Sequence, residues 1–105
     1  MRADEIKTIL GTTRLPVYYG RTKELPKVPP YIIFTGEGQT TFPADDTFYW
    51  RSDTWQIEYY YKLKNSENEA AIEDTLLENG LRYSKSEDVY IEDGEMFVVY
   101  YNNVG

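Results

Sequence analysis

Trp55, Ile57, Tyr59, Tyr61 and Leu63 place a bulky apolar side chain at every second position, with Gln56, Glu58 and Lys62 between them. A period of two is the mark of a strand with one face buried and the other wetted. Side chains of this size demand a covering layer, and the sequence supplies one directly. Ser66-Glu67-Asn68-Glu69 has the pattern of a capping box, and Asn79-Gly80 reads as a helix stop. Between them Ala71, Ile72, Thr75 and Leu76, with Leu77 at the margin, form a narrow apolar stripe. The spacing therefore predicts a strand over 54–64 and a helix over 67–79 lying on its apolar face. Leu81 is placed to close the helix end with a hydrophobic contact.

Other elements follow from the same rules. Residues 4–10 read as a short helix with Ile6, Ile9 and Leu10 on one side and Gly11 as its stop. Leu15-Pro16-Val17-Tyr18-Tyr19 is extended, and Pro16 marks a sheet edge or a strand start. Pro26, Pro29 and Pro30 make 20–30 a loop, and 31–35 form a compact apolar strand. Gly36-Glu37-Gly38 leads a flexible stretch, and Pro43-Ala44-Asp45-Asp46 a turn; 36–46 is open to both a β-excursion and a loop. Phe48-Tyr49-Trp50 begins another strand, which Arg51-Ser52-Asp53 either bulges or turns into the segment from Thr54.

Asp93-Gly94, flanked by Glu92 and Glu95, fits a two-residue type I′ hairpin turn. That register pairs Ile91 with Met96, Tyr90 with Phe97 and Val89 with Val98. The face carrying Val89, Ile91, Met96, Val98 and Tyr100 is expected to lie under the main helix. The opposite face carries Tyr90, Phe97, Val99 and Tyr101, with Tyr60 and Tyr49 as extensions, and is too apolar to be left in water. Either the N-terminal helix or a partner subunit must cover it. The whole reads as an α+β fold. An antiparallel or mixed β-sheet of four to five strands carries one main helix on one face, with a short N-terminal helix besides.

Composition narrows the chemistry. The 105 residues form one expected domain and contain neither cysteine nor histidine. Disulfides, thiolate metal sites, cysteine nucleophiles, imidazole bases and imidazole ligands are thereby excluded. A net charge of −7 disfavours phosphate backbones and anionic membranes as partners, and Arg14, Arg21, Lys23 and Lys27 are scattered loop charges. No apolar run is long enough to span a bilayer and no secretory leader is legible, so a cytoplasmic site of synthesis is expected. Eleven tyrosines, two tryptophans and four phenylalanines favour strands and interfaces.

No residue is nominated as catalytic, cofactor-binding or metal-binding. Gly36-Glu37-Gly38 lacks the helix and the Lys-Ser/Thr end of a phosphate loop. Asp45-Asp46 and Glu92-Asp93 are explained by turns, and a calcium loop would need alternating acids and a distant Glu. The run Tyr59-Tyr60-Tyr61 has few basic neighbours and reads as core plus interface rather than a stacking platform for bases.

In order and spacing, one set of segments makes a wider pattern. They are Leu15-Pro16-Val17-Tyr18-Tyr19, Pro30-Tyr31-Ile32-Ile33-Phe34, Ala44-Asp45-Asp46 and Trp55-Gln56-Ile57-Glu58-Tyr59-Tyr60. Ile72-Glu73-Asp74-Thr75-Leu76, Tyr90-Ile91-Glu92 and Met96-Phe97-Val98-Val99-Tyr100-Tyr101 complete it. With these, the chain resembles the small tail-completion, or tail-terminator, proteins of long-tailed phages and prophages of Gram-positive bacteria. The resemblance implies a non-enzymatic protein that forms a ring, commonly a hexamer, on the head-proximal end of the tail tube. It implies as partners other copies of itself, the major tail tube protein and a head-completion or neck protein, with DNA only as passing cargo. The implied location is the neck end of the virion tail, after assembly in the host cytoplasm. On this reading Phe42, Asp45, Asp46, Tyr60, Tyr90, Phe97 and Tyr101 are the expected subunit or tail-tube contacts. Another neck or minor tail protein is the nearest alternative. An acidic DNA-mimic inhibitor of a host nuclease is the alternative from a different class, and its regular carboxylate array is missing here.

Overall fold

The computed structural model describes the backbone of residues 1–20, 28–44 and 48–105, and their side chains except at 40–44 and 48–52. In chain order the elements are α1 (Ala3–Gly11), β1 (Val17–Tyr19), β2 (Tyr31–Ala44), β3 (Phe48–Tyr61), α2 (Ser66–Glu78), β4 (Ser84–Lys85), β5 (Val89–Ile91) and β6 (Met96–Val104). The strands form one mixed sheet in the order β1-β2-β3-β6-β4, with β5 also paired to β6. Among the described strands only β1 runs parallel to its neighbour; the other pairings are antiparallel. A mostly antiparallel sheet with both helices gathered on one face makes this an α+β fold.

The strand announced by the aromatic alternation is the sheet's centre. Ile57 and Tyr59 are fully buried, and Trp55 and Tyr61 nearly so. The strand ends at Tyr61, so Leu63 falls outside it and is 85% exposed. Both helices cover this face. Ile6 and Leu10 of α1 and Ile72 and Leu76 of α2 join Ile32, Phe34, Ile57, Tyr59, Val99 and Tyr101 in one core. Burying Ile72 and Leu76 contributes about 1.5–3 kcal/mol each. Thr12 and Thr75 tie the helices together through their hydroxyls, 3.1 Å apart. The N-terminal helix therefore packs beside α2 and leaves the far face of the sheet uncovered by either helix.

Both helix termini obey the expected chemistry with one change. The N-cap of α2 is Asn65, one residue earlier than the capping-box reading implies. Its side chain accepts from the backbone N–H groups of Glu67 and Asn68 at 3.0 and 3.1 Å. Glu69, expected to reach back to the cap, turns inward instead. At the other end Gly80 sits at φ +73°, where a Cβ is strained. The Leu81 N–H reaches the Leu76 carbonyl and the Gly80 N–H that of Leu77, the paired bonds of a Schellman motif. Leu81 is 8% exposed and joins the core, as the sequence implies. In α1 no left-handed glycine stops the helix. The Thr12 and Thr13 hydroxyls donate to the Ile9 and Leu10 carbonyls, both at 2.6 Å.

Three segments settle or overturn expectations. Residues 36–44 form the second half of β2, not a flexible loop, and the chain bulges between Gly36 and Gly38, the latter at φ +127°. Residues 51–53 lie inside one continuous strand, paired with 39–41. The 91/96, 90/97 and 89/98 pairs form as predicted, but the turn is not type I′. Neither Asp93 nor Gly94 has positive φ. The left-handed residue is Glu95 at +50°, whose N–H reaches the Glu92 carbonyl at 3.2 Å. That is the bonding of an ordinary turn within a four-residue loop.

The cap assignment makes a direct prediction. Asn65→Ala should lower unfolding free energy by about 1 kcal/mol. Ser66→Ala should stay within about 0.5 kcal/mol of the parent chain, because Ser66 does not cap. Urea denaturation followed by circular dichroism ranks the two variants; the reverse order would restore the capping-box reading.

Candidate assembly surfaces

The register of β3 against β6 decides which side chains look where. Tyr61 lies opposite Phe97, Tyr59 opposite Val99 and Ile57 opposite Tyr101. Phe97, Val99 and Tyr101 must therefore share the helix-covered face with Tyr59. Val98, Tyr100 and Met96 turn to the far side. This inverts the expected facing of the hairpin: the pairing is as read, and the two faces are exchanged. Alternation within the hairpin is the same for both assignments, because β6 is apolar on both sides.

The expected contact residues accordingly divide. Tyr101 is fully buried under α2, and its hydroxyl donates to Glu73 at 2.8 Å. Phe97 is half-buried and stacks on Tyr61 with ring centroids 5.5 Å apart. Neither presents a surface. Tyr90 is 53% exposed at the sheet edge, with its ring 5.2 Å from Phe97. Among the described residues of the set, Tyr60 alone lies on the far face. Phe42 pairs with Trp50 along the β2–β3 hairpin, but its side chain is outside the described residues, as are Asp45 and Asp46 and the side chain of Tyr49.

Of the residues assigned to it, Tyr60 alone is described on the far face, which is aromatic nonetheless and has Tyr31, Ile33 and Val98 buried on it. Tyr31, Tyr60, Val98 and Val89 form one row across β2, β3, β6 and β5. Tyr18, Ile33, Glu58 and Tyr100 form the next. Tyr31 and Tyr60 stack at 4.8 Å, Tyr18 meets Tyr31 edge-on at 6.4 Å, and Tyr31 donates to the Met96 sulfur at 3.7 Å. Glu58, a lone carboxylate in this setting, accepts from the Tyr60 hydroxyl at 2.7 Å. Burial and then that carboxylate push the Tyr60 phenol well above its usual range. A neutral phenol and a spread of rings give a surface fit for apolar contact.

A second surface is the hairpin itself. Pairing of β1 with β2 stops at Phe34, and pairing of β6 with β3 stops at Trp55. Beyond them 38–44 and 48–54 pair only with each other among the described strands. The result is a two-stranded ribbon extending past the sheet. The chain measures 53 × 28 × 24 Å. Its radius of gyration is 14.9 Å, against about 13 Å expected for a compact chain of this length. At the ribbon's base the Trp55 indole donates to the Met1 carbonyl at 3.2 Å, and Gln39 donates to Asp53 at 2.9 Å.

A third cluster, missed by sequence reasoning, ties α2 to the sheet. Glu69, 3% exposed, lies between two lysines: Lys64 is 2.8 Å from one carboxylate oxygen and Lys85 is 2.9 Å from the other. Each lysine takes a second carboxylate, Asp88 for Lys64 at 3.0 Å and Glu73 for Lys85 at 2.9 Å. Each of these in turn accepts from a tyrosine, Tyr61 for Asp88 and Tyr101 for Glu73. The lysines also sit 5.5 and 5.9 Å from the ring centroids of the same tyrosines. The signal available in the sequence was Glu69 on the inner side of the helix stripe, three residues before Ile72. Desolvation and then Asp88 push the Tyr61 phenol up to about 12. The cluster therefore holds protonated phenols, the opposite of an activated tyrosinate. Among the described residues no group of acids has metal-ligand geometry.

The cluster carries a pH signature. Tyr61 and then Lys64 hold Asp88 below its ordinary value, against the effect of burial. Burial raises Glu73, but hydrogen bonds from Lys85 and Tyr101 outweigh it and the net shift is downward. A folded carboxylate with lowered pKa stabilises the native state above its unfolded pKa, and this is lost as pH falls through the folded value. The urea midpoint should thus be flat above about pH 5 and fall below about pH 4. A Glu73→Gln, Asp88→Asn double variant should start lower at pH 7 and decline less steeply. Equal slopes for the two proteins would remove the cluster from the acid response. Separately, Lys85→Met strips one partner from buried Glu69 and should destabilise by about 1–3 kcal/mol, less than a fully broken buried pair because Lys64 remains. Lys62→Met, at an exposed site, is the control in the same urea titration.

No family model and no curated protein matches this chain. Among solved structures, it is similar to a chain described as "Virion of native gene transfer agent (GTA) particle". The two are 13% identical with a TM-score of 0.44, over 95% of this chain and 84% of that one.

Proposed function

We propose that this protein is a non-enzymatic structural component of a phage-like tail. On this reading it assembles as a ring at the head-proximal end of the tail tube, ends tube growth and joins tail to head. The observation that carries the reading is where the chain spends its unusual residues. Tyr18, Tyr19 and Tyr90 are left exposed at the margins of the sheet, and its longest hairpin extends away from the core. Both are features of a protein that is completed by neighbours. The order of apolar segments that resembles tail-terminator proteins supports the same reading.

The acidic balance fits passage of DNA through a lumen. A net charge of −7 repels phosphates, so the nucleic acid passes without adhering. The cluster around Glu69 stabilises the scaffold and takes no part in chemistry. Partners in this account are other copies of the chain, a tail tube protein and a neck protein. Asp45, Asp46 and Phe42 on or near the ribbon, Tyr60 on the far face and Tyr90 at the edge remain proposed contacts, and Tyr18 joins them.

Negative-stain microscopy of the purified protein mixed with tail tubes tests the assignment. The expected image is a cap at one end of each tube, with mean tube length falling as protein is added during polymerisation. Uncapped tubes of unchanged length would contradict it. A Tyr18→Ser, Tyr90→Ser variant removes two exposed rings that lie against Tyr31 and Phe97. It should fold normally and weaken capping by at least about tenfold, on the scale of interface hot spots.

A further inference from the structure

We propose that the two outer edges of the sheet recognise each other, β1 of one copy pairing antiparallel with β5 of a second. The inference rests on the self-assembly reading above and names one contact for it. β1 ends the strand order on one side, and β5 lies beyond β6 on the other. Among the described strands each has one edge without a partner. Charged side chains commonly guard such edges, and neither Val17–Tyr19 nor Val89–Ile91 carries one. Instead the two strands expose Tyr18, Tyr19, Val89 and Tyr90.

Three geometric conditions match between these edges. The first is direction. β1 runs with β2, and the antiparallel steps through β3 and β6 leave β5 opposed to β1. A neighbour laid alongside in the plane of the sheet therefore meets it as an antiparallel ladder, the more stable kind. The second is hydrogen-bond phase. The Pro16 carbonyl and the Gly20 N–H turn to β2, so the backbone groups of Val17 and Tyr19 turn outward. On β6 the Tyr100 N–H and carbonyl turn to Ser86. By alternation Val98 and Met96 turn to Val89 and Ile91, which leaves the groups of Tyr90 facing out. The third is facing. Val17 and Tyr19 lie opposite Ile32 and Phe34 of the core, and the Tyr90 ring lies against Phe97. The outward residues of both edges thus hold their side chains on the helix side, and the joined sheet keeps the helices of both copies on one face.

Charge selects the unlike edge as the partner. Residues 14–27, which contain β1, have four cations and one acid; residues 86–95, which contain β5, have five acids and no cation. The antiparallel ladder sets Arg14, just before β1, beside Glu92 and Asp93, just after β5. Like edges repel and unlike edges attract, so the contact is head to tail rather than two-fold.

Sedimentation of the full chain at rising concentration tests this with proline at the outward positions. Tyr19→Pro blocks the β1 edge and Tyr90→Pro the β5 edge, and neither removes an N–H that bonds within the sheet. Each variant alone should be monomeric where the parent chain associates. Mixed one to one they should form a dimer and nothing larger, because one sound edge of each kind is left. A mixture that stays monomeric, a single variant that associates like the parent, or a parent chain monomeric at millimolar concentration overturns the proposal. Charge variants repeat the test without proline. Arg14→Glu alone, and Glu92→Lys with Asp93→Lys alone, should each weaken association by at least about tenfold, and mixing the two proteins should restore it. Association unchanged in both overturns edge pairing as well. Tube capping judges the functional reading separately: capping that persists with either edge blocked removes this contact and leaves that reading standing.

Discussion

The pairing of β3 with β6 is the constraint on which the rest of the molecule depends. Tyr61 opposite Phe97 and Ile57 opposite Tyr101 fix the side of the sheet that receives the helices. A slip of one residue would send Phe97, Val99 and Tyr101 to the far face and break the Tyr101–Glu73 hydrogen bond. It would also strip Glu69 of its setting, since Lys85 is held next to β6 by the pair with Tyr101. Core packing, the buried carboxylate and the aromatic far face are thus consequences of one register. That register joins segments more than thirty residues apart, and the helix between them covers the face it selects.

This also explains what was legible in the sequence and what was not. Local signals were faithful: the alternation of Trp55 to Tyr61, the stop at Gly80, the contact of Leu81 and the pairing across Asp93-Gly94 all follow from neighbours in the chain. The facing of β6 is a long-range property. With Val98 and Tyr100 on one side and Phe97, Val99 and Tyr101 on the other, its composition carries no preference. Asn65 does not stand out as the cap because Ser66-x-x-Glu69 has a capping-box spacing of its own. Only burial shows that Glu69 is engaged with Lys64 and Lys85. The second half of β2 was obscured by glycines that mark a bulge rather than a loop.

The molecule separates stability from contact. On the helix side, a dense core and a lysine–carboxylate–tyrosine cluster lock α2 to the sheet, and most polar groups there are matched internally. On the other side Tyr31, Ile33 and Val98 are buried, while exposed Tyr18 and half-buried Tyr60 and Tyr100 surround the single carboxylate of Glu58. The ribbon adds unpaired backbone at one end.

Hydroxyl-radical footprinting of the free and the assembled protein tests that division most directly. On assembly Tyr18, Tyr60, Tyr90 and the ribbon should lose reactivity, while Leu77, 58% exposed on the outer side of α2, should keep it. Protection of Leu77 with Tyr18 and the ribbon unchanged would place the contact on the helices and contradict the account.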